Sequence, residues 1–219
     1  WETKDEARSF TLLGQPLAPD LLGYTLDLTA TDPDRIYVSA VRKPGADAVG
    51  YLLTSRDHGK TWEETMVPLE NGERSLHIGA VDPRDPERVY LRTANNTDKP
   101  TRLLVREAAD GGTATIRTVH TANAALLGFA LSSDGQKVYI GGPRDGLKVA
   151  SASDFVFEQR SNIEVQCLAT HDDGLWACSS ERSGFIAGVS KDDGRTFEPV
   201  LRFCDIRGPL SCGSGTPTG

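Results

Sequence analysis

The sequence predicts an all-β chain: a β-propeller, or a portion of one, made of four-stranded antiparallel blades. Three observations carry this. Stretches of about four to eight residues that alternate apolar and polar are separated by Gly, Pro, Asp or Asn, the pattern of a β-meander. Helical periodicity is absent along the chain. Ser-x-Asp-x-Gly-x-Thr-aromatic is written twice, as SRDHGKTW at 55–62 and SKDDGRTF at 190–197, 135 positions apart. That separation is three periods of about 45 residues, the spacing of propeller blades.

Each blade follows from one succession of segments. The first strands are TLDLTATD at 25–32, LHIGAVDP at 76–83, LGFALSSD at 127–134 and VQCLATHD at 165–172. After a polar turn come RIYVSA at 35–40, RVYLRT at 88–93, KVYIGG at 137–142 and LWACSS at 175–180. Tyr37, Tyr90, Tyr139 and Trp176 fall in register there, a position suited to packing between sheets. The third strands are YLLTS, RLLVREA, LKVASA and FIAGVS, and the fourth are WEETMV, ATIRTV, FVFEQR and FEPVL. Blades are therefore expected at 24–67, 74–119, 124–160 and 162–201, in a propeller domain of residues 1–205. Residues 1–15 offer RSFTLLG as a closing strand, behind a Trp1-Glu2 pair that matches Trp62-Glu63 and Phe197-Glu198. The chain opens on Trp1 and closes on GSGTPTG, so 206–219 reads as a tail or linker and the whole as a piece of something longer.

A chain of 219 residues can bury one large core or two small ones. Its net charge of −7 disfavours a nucleic-acid partner and an anionic lipid surface. No stretch reaches the roughly 18 apolar residues of a spanning helix, so no membrane insertion is expected. Cys167 and Cys178 flank the turn HDDG and come opposite each other in that hairpin, as a disulfide or as two small buried thiols. Cys204 and Cys212, in FCDIRGPLSC, are further disulfide candidates without metal-site spacing to any histidine. Cysteine usage favours an exported location: periplasmic, cell-surface or extracellular.

The repeated box is turn chemistry. Asp57 can accept from amides a few residues on, Gly59 permits positive φ, Ser55 and Thr61 satisfy further backbone groups, and Trp62 anchors the next strand. It contains no nucleophile, tuned acid or ligand cluster. The two windows resemble the Asp-box, or BNR repeat, of sialidases, sortilin-like receptors, xyloglucanase-type glycosidases and photosystem assembly factors. REAADGGTATI at 106–116 keeps only the Asp-Gly turn, and SASDFVFE at 151–158 lacks the glycine. In those families the box joins the third and fourth strands, away from the active site. The resemblance thus implies a structural role for Ser55, Asp57, Gly59, Thr61 and Trp62, and for Ser190, Asp192, Gly194, Thr196 and Phe197.

Residues with possible chemistry are fewer. A sialidase-like site would need three arginines on a carboxylate, a Tyr-Glu pair and an acid. Arg42 and Arg144 follow the second strands of their blades, and Arg182 lies one residue off that register. The Arg-Ile-Pro signature is missing, and Tyr24 and Tyr51 have no evident Glu partner. A glycosidase needs two facing carboxylates, yet Asp32, Asp34, Asp82, Asp85, Asp134, Asp172 and Asp173 belong to turns. Asp27 interrupts a strand, and the repeat aligns it with His77, Gly128 and Gln166 as a polar ring around a channel. These positions suit a ligand, or hydrogen bonds between blades. Neither a metal nor a cofactor motif is present. The sequon Asn95-Asn96-Thr97 would matter only in a glycosylating pathway.

The expected function is a non-catalytic, exported binding or scaffold propeller that recognises a protein or glycan. Its partner face would be built from the segments leading into each blade and from RKPGADAV at 42–49, ANNTDKP at 94–100, PRDG at 143–146 and ERSG at 181–184. A glycoside hydrolase, or an inactive fragment of one, and an assembly factor for a larger complex are the alternatives.

Overall fold

The computed structural model describes every residue except 30, 43–47, 71, 97, 109–113, 207 and 209–219. Cys212, Thr97 of the sequon, most of the 42–49 loop and nearly all of the 206–219 tail lie outside the described residues. The chain is all-β, with four antiparallel sheets of four strands each. β1 (Leu21–Thr29), β2 (Asp32–Arg42), β3 (Val49–Ser55) and β4 (Glu63–Val67) form the first sheet. β5 (Ser75–Val81), β6 (Val89–Ala94), β7 (Thr101–Ala108) and β8 (Ala114–Ala122) form the second. β9 (Gly128–Leu131), β10 (Lys137–Gly142), β11 (Gly146–Ser151) and β12 (Glu158–Ser161) form the third. β13 (Cys167–His171), β14 (Gly174–Cys178), β15 (Ala187–Ser190) and β16 (Glu198–Leu201) complete the fourth. Each sheet is a simple meander. β1 lies against β5, β5 against β9 and β9 against β13, a propeller-like succession with the first strands innermost.

The core is a set of layers between sheets. Tyr37, Leu52 and Val67 of the first sheet meet Leu76, Val81 and Leu91 of the second. Tyr90, Leu103 and Val105 meet Val138 and Ile140 of the third. Tyr139, Leu147 and Val149 meet Leu168, Leu175 and Ala177 of the fourth. A middle strand such as KVYIGG is buried on both faces because a sheet packs on each side, which is why its apolar residues run together. Polar clips cross the same seams. The Tyr37 hydroxyl donates to the Pro86 carbonyl at 2.8 Å, and the Tyr139 hydroxyl to Asp193 Oδ1 at 2.8 Å. Glu87, in the turn before β6, takes ion pairs from Arg35 and Arg56 of the first sheet and Arg106 of the second.

The outer face of the first sheet is covered by the N-terminal segment. Leu13 and Leu17 pack on Ile36, Val38, Ala40 and Leu53 beside Trp62. RSFTLLG does not form the expected strand; a single bridge, Glu2 to Thr11, is its ladder pairing. The reason lies at Gly14, which turns at φ 56° and sits so close to the Gly59 carbonyl that a Cβ would overlap it. Gln15 N donates to that carbonyl at 2.9 Å, fixing the chain on the turn instead of along a strand edge.

Cys167 and Cys178 are directly paired on β13 and β14 and form a disulfide. Cys204 is an exposed free thiol.

Candidate functional site

In a meander the hairpins 1–2 and 3–4 fall at one end of each sheet. The 2–3 loops and the segments leading into each sheet fall at the other. Both Ser-x-Asp turns are 3–4 hairpins, and their hydrogen bonds superimpose. Ser55 Oγ donates to Asp57 Oδ1 at 2.8 Å and accepts from Gly59 N at 2.8 Å. Thr61 N reaches Asp57 Oδ1 at 2.9 Å and Thr61 Oγ1 reaches Oδ2 at 2.7 Å. Ser190, Asp192, Gly194 and Thr196 repeat all four contacts at the same distances. The turn also uses positive φ at His58 and Gly59, and again at Asp193 and Gly194. Thr61 and then Ser55 hold the Asp57 carboxyl at about 2 against some desolvation, and the Thr196 amide and hydroxyl do the same for Asp192, also at about 2. Both carboxylates are spent on their own turns. Phe197 stacks on Phe185, while Trp62 donates its indole N–H to the Gln15 carbonyl at 3.2 Å.

At the opposite end, each leading segment is tied to its own sheet by a carboxylate. Arg42 Nε donates to Asp20 at 2.6 Å, and its NH2 to Glu64 at 3.2 Å. Glu73 accepts from Arg102 Nε at 2.9 Å and NH2 at 2.6 Å, both side chains being buried. Asp145 accepts from Asn123 N at 3.0 Å, Asn123 Nδ2 at 2.6 Å and Ala124 N at 3.3 Å. Glu164 accepts from Ser180 Oγ at 2.5 Å, with Arg182 NH1 at 3.8 Å. Arg42, Arg144 and Arg182 are therefore not joined by any hydrogen bond among the described residues, and two of them are committed within their own blades.

Arg144 is the exception. It lines a polar hollow of about 380 Å³ with Asn123, Asp145, Lys148, Gln159 and Asn162. Gly146 shapes the floor: at φ 66° it lets β12 approach so closely that a Cβ would collide with Gln159 Nε2 and the Ser161 carbonyl. Gln159 Nε2 donates to the Asp145 and Ser161 carbonyls at 3.1 and 2.8 Å, which leaves its Oε1 as an acceptor. Neither Arg144 nor Lys148 makes an ion pair among the described residues, while the hollow's carboxylate is occupied by Asn123 and Ala124. His120 stands within electrostatic reach. Burial, reinforced by the Lys148 charge and opposed by Asp145, holds its ring below the ordinary 6.5. The hollow offers two cations beside the amides of Asn123 and Gln159, which hydrogen bonds hold in place, an arrangement for holding a polar or anionic group. A single committed carboxylate supplies no acid–base pair.

The inner strands distribute the predicted ring residues differently from the sequence alignment. Asp27 is paired with Tyr37, Ala80 with Tyr90, Ala130 with Tyr139 and Ala169 with Trp176. His77, paired with Arg92, is level with Thr25, Gly128 and Cys167 instead. The irregularity between Ile78 and Ala80 contributes to the offset, because it puts one extra residue between the His77 and Ala80 levels compared with Thr25 and Asp27. Asp27 Oδ2 accepts from Val81 N of the next sheet at 3.2 Å and Oδ1 from Leu28 N at 2.8 Å. His77 bonds Ser75 Oγ at 2.9 Å and packs edge-on to Tyr24; burial, then the nearby Arg92 charge, lowers its pKa from 6.5. Gln166 is exposed beside the disulfide, and its backbone N–H donates to the Cys178 carbonyl at 2.9 Å. Asn123, Asp145, Lys148, Gln159 and Asn162 carried no sequence signal as a site beyond the PRDG hairpin itself.

Among the described residues, no cluster of three or more His, Cys, Asp or Glu is placed to hold a metal ion. No helix among them is long and apolar enough to cross a membrane. No family profile and no curated protein matches the chain. Among solved structures, the chain is similar to a structural-genomics protein of unknown function from Bacteroides thetaiotaomicron VPI-5482, at 13% identity and a TM-score of 0.46. The match covers 80% of this chain and 42% of that one, so the chain spans less than half the length of that protein.

Proposed function

We propose that this chain is a non-catalytic, exported propeller of the BNR, or Asp-box, type that binds a protein or glycan partner at its 2–3-loop end. One observation carries the binding site. At an end where Asp20–Arg42 and Glu73–Arg102 latch leading segments to their sheets, Arg144 and Lys148 stay without an ion pair around a polar hollow. Unpaired cations with neighbouring amides suit hydroxyl-rich or anionic groups, as a glycan or an acidic protein loop presents. Support for the repeat type comes from the matching hydrogen bonds of the two Ser-x-Asp turns, and support for export from the disulfide.

The test is a panel of neutral and acidic glycans scored for binding and hydrolysis together, with wild type, Arg144→Ala and Lys148→Ala. Binding without turnover, weakened by either substitution, is the expected result. Turnover of any member overturns the non-catalytic reading. Binding that neither substitution weakens moves the site elsewhere. Silence across the panel turns the search to protein partners, by pull-down with the same variants.

A further inference from the structure

The hollow around Arg144 presents two kinds of group to a ligand. The first kind is cationic: the Arg144 guanidinium, which is exposed, and the half-buried Lys148 ammonium. The second kind is left over from the fold's own hydrogen bonds. Asn123 gives Nδ2 to Asp145 at 2.6 Å, and Gln159 gives Nε2 to the Asp145 and Ser161 carbonyls at 3.1 and 2.8 Å. With those nitrogens engaged, Asn123 and Gln159 keep an Oδ1 and an Oε1 as acceptors. The carboxylate that lines the hollow, Asp145, is buried and takes three hydrogen bonds, from Asn123 N, Asn123 Nδ2 and Ala124 N. Two cations thus stand against one carboxylate, and the hollow is net positive. Among the described residues no aromatic side chain lines it, so a sugar cannot be gripped there by stacking on its ring face. Its volume of about 380 Å³ lies within the range of small-ligand sites and accommodates a sugar ring.

We propose, resting on the reading of this hollow as the binding site, that it takes a uronic-acid residue of an acidic polysaccharide. The carboxylate sits on Arg144 and Lys148, and ring hydroxyls donate to Gln159 Oε1 and Asn123 Oδ1. Such a residue answers both kinds of group at once. A planar carboxylate matches the guanidinium fork with two parallel hydrogen bonds. Hydroxyls supply the donors that the amide oxygens lack, and an ionised glutamate side chain supplies none. A neutral sugar brings the hydroxyls but leaves both cations without a counter-charge, with no aromatic platform to compensate. A sulfated sugar brings both groups and is disfavoured by charge: at −7 the chain repels a densely sulfated polymer more than one with a single carboxylate per ring.

The test is titration calorimetry of the 219-residue chain with four probes: an oligogalacturonate, its methyl ester, a sulfated oligosaccharide and a glutamate oligopeptide. The oligogalacturonate is expected to bind about tenfold or more tighter than each of the others, and Arg144→Ala or Lys148→Ala should each weaken it by about tenfold. Circular dichroism is the fold control; should Lys148→Ala misfold, Lys148→Met keeps the apolar stem and removes only the charge. A methyl ester bound as tightly as the free acid overturns the uronate inference and leaves glycan binding in place. A sulfated oligosaccharide bound as tightly does the same. An equally tight glutamate peptide overturns it too and makes an acidic protein segment the partner of the hollow. Oligogalacturonate binding that neither substitution weakens overturns both the inference and the placement of the site. Binding of none of the four overturns the uronate inference, and a protein partner captured by wild type but not by Arg144→Ala would then show that the hollow itself is still a binding site.

Discussion

Gly194 lies directly over Leu147: a Cβ on Gly194 would stand 2.3 Å from Leu147 Cδ2. The turn of the fourth sheet is thereby pressed against the third. Gly59 holds the matching place in the first sheet, but there the neighbour is Leu13 of the N-terminal segment, and a Cβ would meet its Cγ at 3.5 Å. Both glycines have positive φ, 83° and 79°, so alanine strains either by about 1–2 kcal/mol. Leu147 is fully buried and cannot swing aside freely. Gly194→Ala is therefore expected to cost about 1–3 kcal/mol more than Gly59→Ala. Urea denaturation of the two single variants decides it; equal losses would show that the Leu147 pocket yields without cost.

What the sequence disclosed and what it withheld divide by range. The Tyr37, Tyr90, Tyr139 and Trp176 register, the Ser-x-Asp turns and the opposed cysteines follow from period-2 alternation and turn chemistry, each decided within a few residues. The level of Asp27 against His77 was not legible. It depends on a bulge at Gly79, over which Phe129 of the third sheet packs so tightly that a Cβ would lie 2.9 Å from its ring. No local pattern announces that contact. The same holds for the hollow, which needs β12 to close on Gly146 and the Asn123 segment to fasten onto Asp145. RSFTLLG alternates like a strand, but a long-range close approach at Gly14 decides its path.

Acid should weaken the fold in two stages. Burial lowers the pKa of His77 and His120 below 6.5, so the unfolded chain takes those protons first and stability begins to fall as pH drops past 6.5. Asp57 and Asp192 titrate near 2 in the folded turns against an ordinary 3.8. Their contribution is complete above pH 3.8 and is lost as pH falls toward 2. Asp57→Asn with Asp192→Asn is expected to lower stability at neutral pH and to flatten the loss in the lower window, leaving the upper one intact. Urea midpoints measured across pH for wild type and the double variant check both stages.

The Cys167–Cys178 bridge closes a short loop, with a sequence separation of 11. Chain-entropy arguments assign such a loop about 2–3 kcal/mol, exerted mainly on the unfolded chain. The Cys167→Ser, Cys178→Ser double variant should lose that amount and become insensitive to reductant, while reduced wild type falls to the same level. A reduced wild type as stable as the oxidised one would mean that the five ladder pairs of the β13–β14 hairpin set its stability without the bridge.

Two kinds of arginine at the 2–3-loop end should separate cleanly by stability. Arg102 and Glu73 are 7% and 5% exposed, and Arg102 also reaches the Pro68 carbonyl at 2.8 Å. Removing the guanidinium leaves a buried carboxylate whose remaining side-chain partner is Thr93, so Arg102→Ala is expected to cost about 3–5 kcal/mol. Arg144 is exposed and makes no ion pair among the described residues, so Arg144→Ala should change stability by less than about 0.5 kcal/mol. Thermal and urea unfolding of the two variants side by side provide the check. A stable Arg144→Ala protein gives any loss of ligand binding a local meaning, because the fold that presents the hollow is still there. A destabilised one would mean that Arg144, like Arg102, latches the loop end and is not held free for a partner.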